Sequence, residues 1–170
     1  SLWEYGYTSD GKRLRSRENG VETHYLLDLS GDMDLVLAEL TAANVVKSYY
    51  VHGDGLLYSV DGATGARRYY HYDPLGSTVA ITESLGAVEA GFSYLPYGEV
   101  SSSAGQTQTP FTFVGKLGVM REDNGLYYMR ARFYDPVLRN FIGPDPLSGT
   151  MWASESLNQY AYSVGNPVLY

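Results

Sequence analysis

The 170-residue chain has no cysteine, only 7 prolines and no apolar run near the roughly 20 residues that cross a bilayer. The missing cysteine excludes disulfides, cysteine-ligated zinc and thiol catalysis within this chain. Basic residues are also scarce, because 12 lysines and arginines face 19 acidic residues and give a net charge of −7. Since proteins that bind a phosphate backbone present a basic face, we expect no nucleic-acid partner. Because no apolar run is long enough, we also expect no membrane span.

Tyrosine and glycine are abundant instead, with 17 and 19 copies. Tyrosine suits a half-buried pleated surface, and glycine supplies the positive φ that tight turns need. With 44% hydrophobic residues, the composition indicates a globular protein of many short strands and turns. Because the chain starts at Ser1 without an initiator Met and stops at Tyr170, we expect it to be a fragment of a longer protein.

A loose repeat of about 22 residues runs through the first hundred residues. In its clearest unit, a strand over 67–72 is followed by the turn Asp73-Pro-Leu-Gly76 and a β-branched return strand over 77–82. The pattern predicts an all-β fold, built either as a spiral array of antiparallel hairpins or as an irregular β-sandwich. The repeat tyrosines are Tyr7, Tyr25, Tyr50, Tyr72 and Tyr94.

Further segments carry separate predictions. We favour a strand for 35–39, although 32–43 also contains good helix formers. The uncharged stretch 101–110 predicts an exposed loop. A strand-rich block begins at 111, Asp123-Asn-Gly125 predicts a hairpin turn, and 126–134 predicts one long strand. The segment 154–162 begins with a candidate N-cap and predicts a short helix.

The Tyr-Asp-x-x-Gly units resemble YD repeats, and the runs 125–136, 139–146 and 158–167 closely resemble the RHS repeat-associated core domain. That family includes the C components of insecticidal toxin complexes, polymorphic bacterial toxins and teneurins. The resemblance implies that YD repeats spiral into a hollow β-shell around a C-terminal toxin and that the core forms a plug. In many bacterial members the core also cuts the chain just beyond itself, as an intramolecular aspartic protease.

The resemblance therefore implies a YD-repeat array over 1–100, a loop over 101–110 and a core over 111–170 that stops before the cleavage segment. The implied role is the wall and plug of a secreted or surface-exposed bacterial RHS protein. Its implied partners are other parts of the same shell and, in the parent protein, the encapsulated toxin. Unpaired strand edges also predict self-association. Four or five repeats are too few to enclose a toxin.

By the same resemblance Asp145 is a candidate catalytic residue, with Arg132 to orient or charge the site and Asp135 as a second carboxylate. Two close carboxylates cannot both ionise easily, so one can activate water while the other polarises a carbonyl. The alternative is that each Asp-Pro pair starts a turn and caps local N–H groups. Arg130 has the same strand parity as Arg132 and is expected on the same face.

Two other functions stay open at this stage. The first alternative to the wall-and-plug role is an active self-cleaving protease, which a longer chain would test. The second is a carbohydrate-binding or adhesive β-repeat surface protein. The tyrosines are interpreted first as packing residues, and clustered exposed rings in a groove would favour sugar binding. No cofactor or metal is expected, because His24, His52 and His71 have no partner at metal-ligand spacing.

Overall fold

In the computed structural model, which describes residues 2–31, 33–105, 109–146 and 157–167, ten strands form one antiparallel sheet in the order of the sequence. Each strand therefore pairs with the strand before it and the strand after it, as expected for an array of hairpins. The strands are β1 (Trp3–Tyr7), β2 (Arg13–Glu18), β3 (Val21–Asp28), β4 (Leu35–Thr41), β5 (Val46–Gly53), β6 (Gly55–Asp61), β7 (Arg67–Tyr72), β8 (Thr78–Glu83), β9 (Val88–Tyr94) and β10 (Val100–Gly105).

A second, four-stranded antiparallel sheet follows within residues 109–146, here called the C-terminal segment. Short 3₁₀ turns cover Gly115–Leu117 and Ser163–Gly165. None of the helices described is long and apolar enough to span a membrane. The strands of this sheet are β11 (Met120–Arg121), β12 (Tyr127–Met129), β13 (Arg132–Asp135) and β14 (Asn140–Phe141).

The hydrophobic core lies between the large sheet and the C-terminal segment. Leu56 and Ile81 from the sheet and Phe111 from the segment are all 0% exposed and belong to one cluster. Burying side chains of this size stabilises a fold by roughly 1.5–3 kcal/mol each. We call the sheet face that contacts the C-terminal segment the inner face.

The repeat turns bring the C-terminal segment close to the sheet. Gly98 has a φ of 86°, and a Cβ there would lie 2.6 Å from the Phe113 ring. The Tyr127 hydroxyl donates a hydrogen bond of 2.8 Å to the Gly98 carbonyl. At the neighbouring repeat turn, the Lys116 N–H donates to the Gly76 carbonyl at 3.0 Å. Glycine is needed here both for the backbone conformation and for the close approach.

A regular side-chain contact links successive repeats. The Tyr72 hydroxyl donates to the Leu56 carbonyl at 2.6 Å, and the Tyr94 hydroxyl donates to the Thr78 carbonyl at 2.7 Å. In both cases the acceptor lies 16 residues earlier. His52 makes the same contact, because its Nε2 lies 2.9 Å from the carbonyl oxygen of Val36, which is 16 residues earlier. In that repeat His52, and not Tyr50, therefore occupies the position that Tyr72 and Tyr94 hold in theirs.

The all-β prediction is confirmed, as are the strand at 35–39 and the turn at 123–125, which joins β11 to β12. The loop predicted over 101–110 is wrong for 101–105, because those residues form β10. Their intrinsic strand preference is low, but pairing with β9 satisfies the backbone groups on one side of the strand.

The single strand predicted over 126–134 is also wrong. It is a hairpin, in which Met129 pairs with Arg132 and Arg130 turns the chain with a φ of 55°. The Arg130 guanidinium holds this turn by donating to the Leu117 and Asp34 carbonyls. A β-hairpin turn commonly needs such a positive φ, and no glycine or asparagine marks this one in the sequence.

Two further predictions meet the structure only in part. The residues from Phe111 to Val114 form no strand and instead lead into the 3₁₀ turn at Gly115, with the Phe111 side chain in the core. The helix predicted over 154–162 lies partly outside the described residues. Its described part forms turns and an antiparallel bridge between Asn140 and Ala161, and the helical turn that follows lies at 163–165.

Candidate functional site

The structure brings Arg132 and Asp145 together. An Arg132 Nη2 to Asp145 Oδ2 distance of 2.8 Å makes them an ion pair. Both residues also contact Gln159, because Arg132 Nη1 donates to its carbonyl at 3.1 Å and the Asp145 N–H donates to the same oxygen at 2.9 Å. One carbonyl therefore fixes the positions of both partners.

An aromatic ring supports the guanidinium of this pair. Arg132 Cζ lies 3.6 Å from the centroid of the Phe141 ring, and Phe141 in turn packs against Tyr134 and Tyr162. The side chains of Arg132 and Asp145 are 17% and 33% exposed. Because a planar guanidinium stacks well on a ring, the arrangement limits its freedom and leaves one edge for the carboxylate.

Asp135 has a different environment. Its Oδ1 accepts hydrogen bonds from the N–H groups of Val137 at 2.8 Å and Leu138 at 3.0 Å, which is the Asx turn expected of an Asp-Pro pair. Asp135 ends β13 whereas Arg132 begins it, and their side chains point to opposite faces by strand parity. The turn interpretation thus accounts for the observed contacts of Asp135.

Arg130 does not share a strand face with Arg132, contrary to the parity argument. Arg130 lies in the turn between β12 and β13, whereas Arg132 is the first residue of β13. Burial lowers the pKa of the Arg130 guanidinium. Both arginines line a groove of about 510 Å³ that also contains Lys12 and Asp34, which form an ion pair of 2.6 Å.

A buried ion pair that the sequence does not reveal lies between the two sheets. Arg13 Nη1 of β2 lies 2.6 Å from Glu122 Oε1, and the two residues are 3% and 8% exposed. The Arg13 guanidinium also lies 3.8 Å from the centroid of the Tyr128 ring and 4.8 Å from that of Tyr25. In the sequence Arg13 is followed by arginines two and four residues on, and because both of those are exposed in the structure, the spacing does not mark Arg13 as buried.

A larger cavity of about 720 Å³ lies next to this pair, between strands β2 to β5 and the C-terminal segment. Glu18, Glu39 and Asp123 are among its lining residues. The pKa of Glu18 is raised to about 7, mainly by burial and next by the hydrogen bond to Asp123. Burial also raises the pKa of Glu39. Among the residues that the structure describes, no group of three His, Asp or Glu side chains is placed to hold a metal ion.

Known proteins contain segments similar to this chain. The tRNA3(Ser)-specific nuclease WapA of Bacillus spizizenii is 34% identical over 167 residues, which is 97% of this chain and 7% of that protein. Double-stranded DNA deaminase toxin A of Burkholderia cenocepacia is 31% identical over 142 residues, or 79% of this chain and 8% of that protein. No protein-family model matches.

The fold matches a solved toxin-complex structure. The crystal structure of TcdB2-TccC3-Cdc42 superposes with a TM-score of 0.70 over 99% of this chain, at 20% identity, and the match covers 9% of that chain. At this identity the match speaks for the fold alone. The ten sequential strands and the C-terminal segment on their inner face define a YD-repeat sheet with an RHS-associated core. The chain belongs to the RHS/YD-repeat proteins, and it spans less than a tenth of the length of the relatives that it matches.

Proposed function

We propose that this chain is a wall-and-plug module of an RHS-type toxin-delivery shell. One observation carries the proposal: ten hairpin strands pair strictly in sequence order while the C-terminal segment covers their inner face. Sequential pairing lets a sheet grow by adding repeats, which suits a wall. In this division the array extends from the start of the chain through Gly105, and the core from Thr109 onward is the plug.

The names of the relatives support a carrier role over a catalytic one. One is a tRNA nuclease and the other a DNA deaminase toxin, yet both contain a segment similar to this chain that makes up 7% or 8% of their length. A segment shared by proteins with different named activities suits delivery or enclosure. By the same reasoning the parent protein is secreted or surface-exposed, and it carries a C-terminal toxin as the enclosed partner.

Enclosure is tested by protease access in the parent protein. One variant carries a site for a specific protease downstream of residue 170, and a matched variant carries the same site in the β8–β9 turn, where Leu85 is 92% exposed. We expect rapid cutting in the turn and slow cutting downstream. Equal cutting rates at the two sites would contradict enclosure, while loss of cutting in the turn would show that the comparison itself had failed.

Autoproteolysis is a second candidate function, favoured by the Arg132–Asp145 pair. In this reaction a carboxylate takes a proton from water and the resulting hydroxide adds to the peptide carbonyl. The carboxyl group then gives that proton to the peptide nitrogen as the C–N bond breaks, which leaves a carboxylic acid and an amine. Asp145 would supply one carboxylate, held in place by the guanidinium of Arg132. The second carboxyl would come from Asp135 or from the chain that follows in the parent protein.

The carbohydrate-binding alternative has less support. Of the tyrosines that the structure describes, five are buried, so their rings contribute to packing and not to a ligand surface. These are Tyr50, Tyr70, Tyr127, Tyr128 and Tyr134.

A further inference from the structure

Strand β10 is an open edge that the fold itself creates. Among the described residues its backbone pairs only with β9, and every residue from 101 to 105 is exposed. The chain does not end there. The next described residues lie at the inner face, where Thr109 Oγ1 is 2.9 Å from the Tyr70 hydroxyl and Phe111 belongs to the core. The C-terminal segment therefore leaves the edge of β10 uncovered.

This edge lacks most of the features that keep natural sheet edges from pairing. Protected edges carry charged side chains, proline or bulges, or lie beneath a loop. The β10 sequence Val-Ser-Ser-Ser-Ala-Gly has no charge and no proline. Its register shifts between Val100 and Ser102, after which Ser102 to Gly105 pair with β9 in regular register, and Gly105 ends the strand with a φ of 91°. Strand β1 differs, because it carries Glu4, whose carboxylate lies 3.5 Å from Arg17.

We propose that β10 pairs antiparallel with β10 of a second copy of this chain. Antiparallel pairing of identical strands generates a two-fold axis and a closed dimer. The small, uncharged side chains of β10 place no like charges opposite one another, whereas pairing of β1 with itself would bring two Glu4 side chains onto adjacent strands. Pairing of β10 with β1 would be head-to-tail and would produce open-ended filaments.

The contact is expected to be weak and concentration-dependent. Six short residues on each side bury less than the roughly 1,200 Å² of a standard interface, which places the dimer among transient complexes. The inner face takes no part in it. Edge pairing is therefore a property beyond the proposed enclosure, and it would join one shell to another through the margin of the wall.

Sedimentation velocity over a wide range of protein concentration tests the proposal. We expect the wild type to shift reversibly from monomer to dimer. Ser102→Lys and Ser102→Glu should each remain monomeric, because each places like charges across the two-fold axis. An equimolar mixture of the two variants should restore a one-to-one dimer. Ser84→Lys, in the exposed β8–β9 turn, should dimerise like the wild type.

Each other outcome overturns the proposal. A wild type that stays monomeric at all concentrations excludes the contact, and filaments would mean head-to-tail pairing. Dimers that persist in both charge variants would place the interface elsewhere. Amide hydrogen exchange of the wild type adds a measurement that needs no variant: exchange at residues 101–105 should slow as the concentration rises, and an unchanged rate there would refute the pairing.

Discussion

Arg13 and Glu122 are 109 residues apart in sequence and form an ion pair of 2.6 Å that is almost completely buried between the two sheets. The Tyr128 and Tyr25 rings lie against the guanidinium, and Met120 Sδ lies 3.2 Å from Arg13 Nη2. The pair fixes the first hairpins of the sheet to the C-terminal segment. A buried pair of this kind tolerates removal of both charges better than removal of one.

Removing one charge of this pair should destabilise the fold strongly. We expect Arg13→Met to cost about 3–5 kcal/mol of unfolding free energy, because Glu122 would be left buried without its partner. The double variant Arg13→Met with Glu122→Gln should recover part of that loss. Urea unfolding measures both. Arg17→Met, which breaks an exposed pair, should cost about 1 kcal/mol or less and serves as the control. If Arg13→Met and Arg17→Met lowered the free energy of unfolding equally, the argument from the buried charge would be refuted.

The second prediction separates backbone strain from close packing at a repeat turn. Gly98 and Gly86 have φ values of 86° and 88°, but only a Cβ at Gly98 would meet another residue, the Phe113 ring at 2.6 Å. Gly86→Ala should therefore cost about 1–2 kcal/mol for the left-handed backbone alone. Gly98→Ala should cost about 1–3 kcal/mol more through overpacking against Phe113. Thermal or urea unfolding gives the difference, and equal costs would mean that the ring moves aside freely.

A third prediction concerns the pH dependence of stability. The pKa of Glu18 is raised to about 7 by burial and by its contact with Asp123, so the folded state binds this proton more tightly than the unfolded state does. The stabilisation is complete below the ordinary glutamate pKa and is lost as the pH rises through about 7. The wild type should therefore lose unfolding free energy between pH 5 and pH 8.

Glu18→Gln keeps a neutral hydrogen-bonding group at that position and should flatten this slope. His24, whose pKa is raised by its hydrogen bond to Glu22, contributes a loss of the same sign in the wild type and in the variant. The comparison of the two slopes therefore isolates Glu18. Parallel pH profiles would show that Glu18 titrates normally.

Much of the fold could be predicted from the sequence because its signals are local. Tyrosine-rich strands followed by Asp-Gly or Asp-Pro turns specify hairpins, and sequential hairpins specify the sheet order. The errors came from tertiary contacts that no local pattern reveals. Ladder pairing with β9 turned a serine-rich stretch into β10, and carbonyl acceptors on Asp34 and Leu117 allowed Arg130 to form a hairpin turn.

The candidate site shows the same limit. The motif placed Asp145 and Arg132 in a shared role, and the structure brings them into contact. It did not reveal that Phe141 supports the guanidinium or that the Gln159 carbonyl holds both partners. The pairing of Arg13 with Glu122 could not be read from either residue alone, since it depends on how the C-terminal segment lies on the sheet.

The last prediction tests the chemistry of the Arg132–Asp145 pair. The chain is extended by the roughly twenty residues that follow Tyr170 in its parent protein. This length adds the segment beyond the core but is too short to add a whole domain. We expect part of the extended protein to be cut shortly after the Gly165-Asn-Pro167 element. Intact-mass spectrometry of the purified protein detects the cut and locates it.

Asp145→Asn should abolish the cut while circular dichroism remains strand-dominated, because the amide keeps the shape of the carboxylate but cannot take a proton from water. Arg132→Lys keeps the charge but loses the planar contacts with Phe141 and the Gln159 carbonyl, so cutting should slow and not vanish.

Asp135→Asn is the matched control. The Asp135 Oδ1 caps a turn, which an asparagine also caps, so cutting should persist if the second carboxyl comes from the following segment. Loss of cutting in Asp135→Asn would instead make Asp135 the second carboxyl. An uncut wild type would mean that the core acts as a plug alone, and a cut that survives Asp145→Asn would assign the chemistry to another residue.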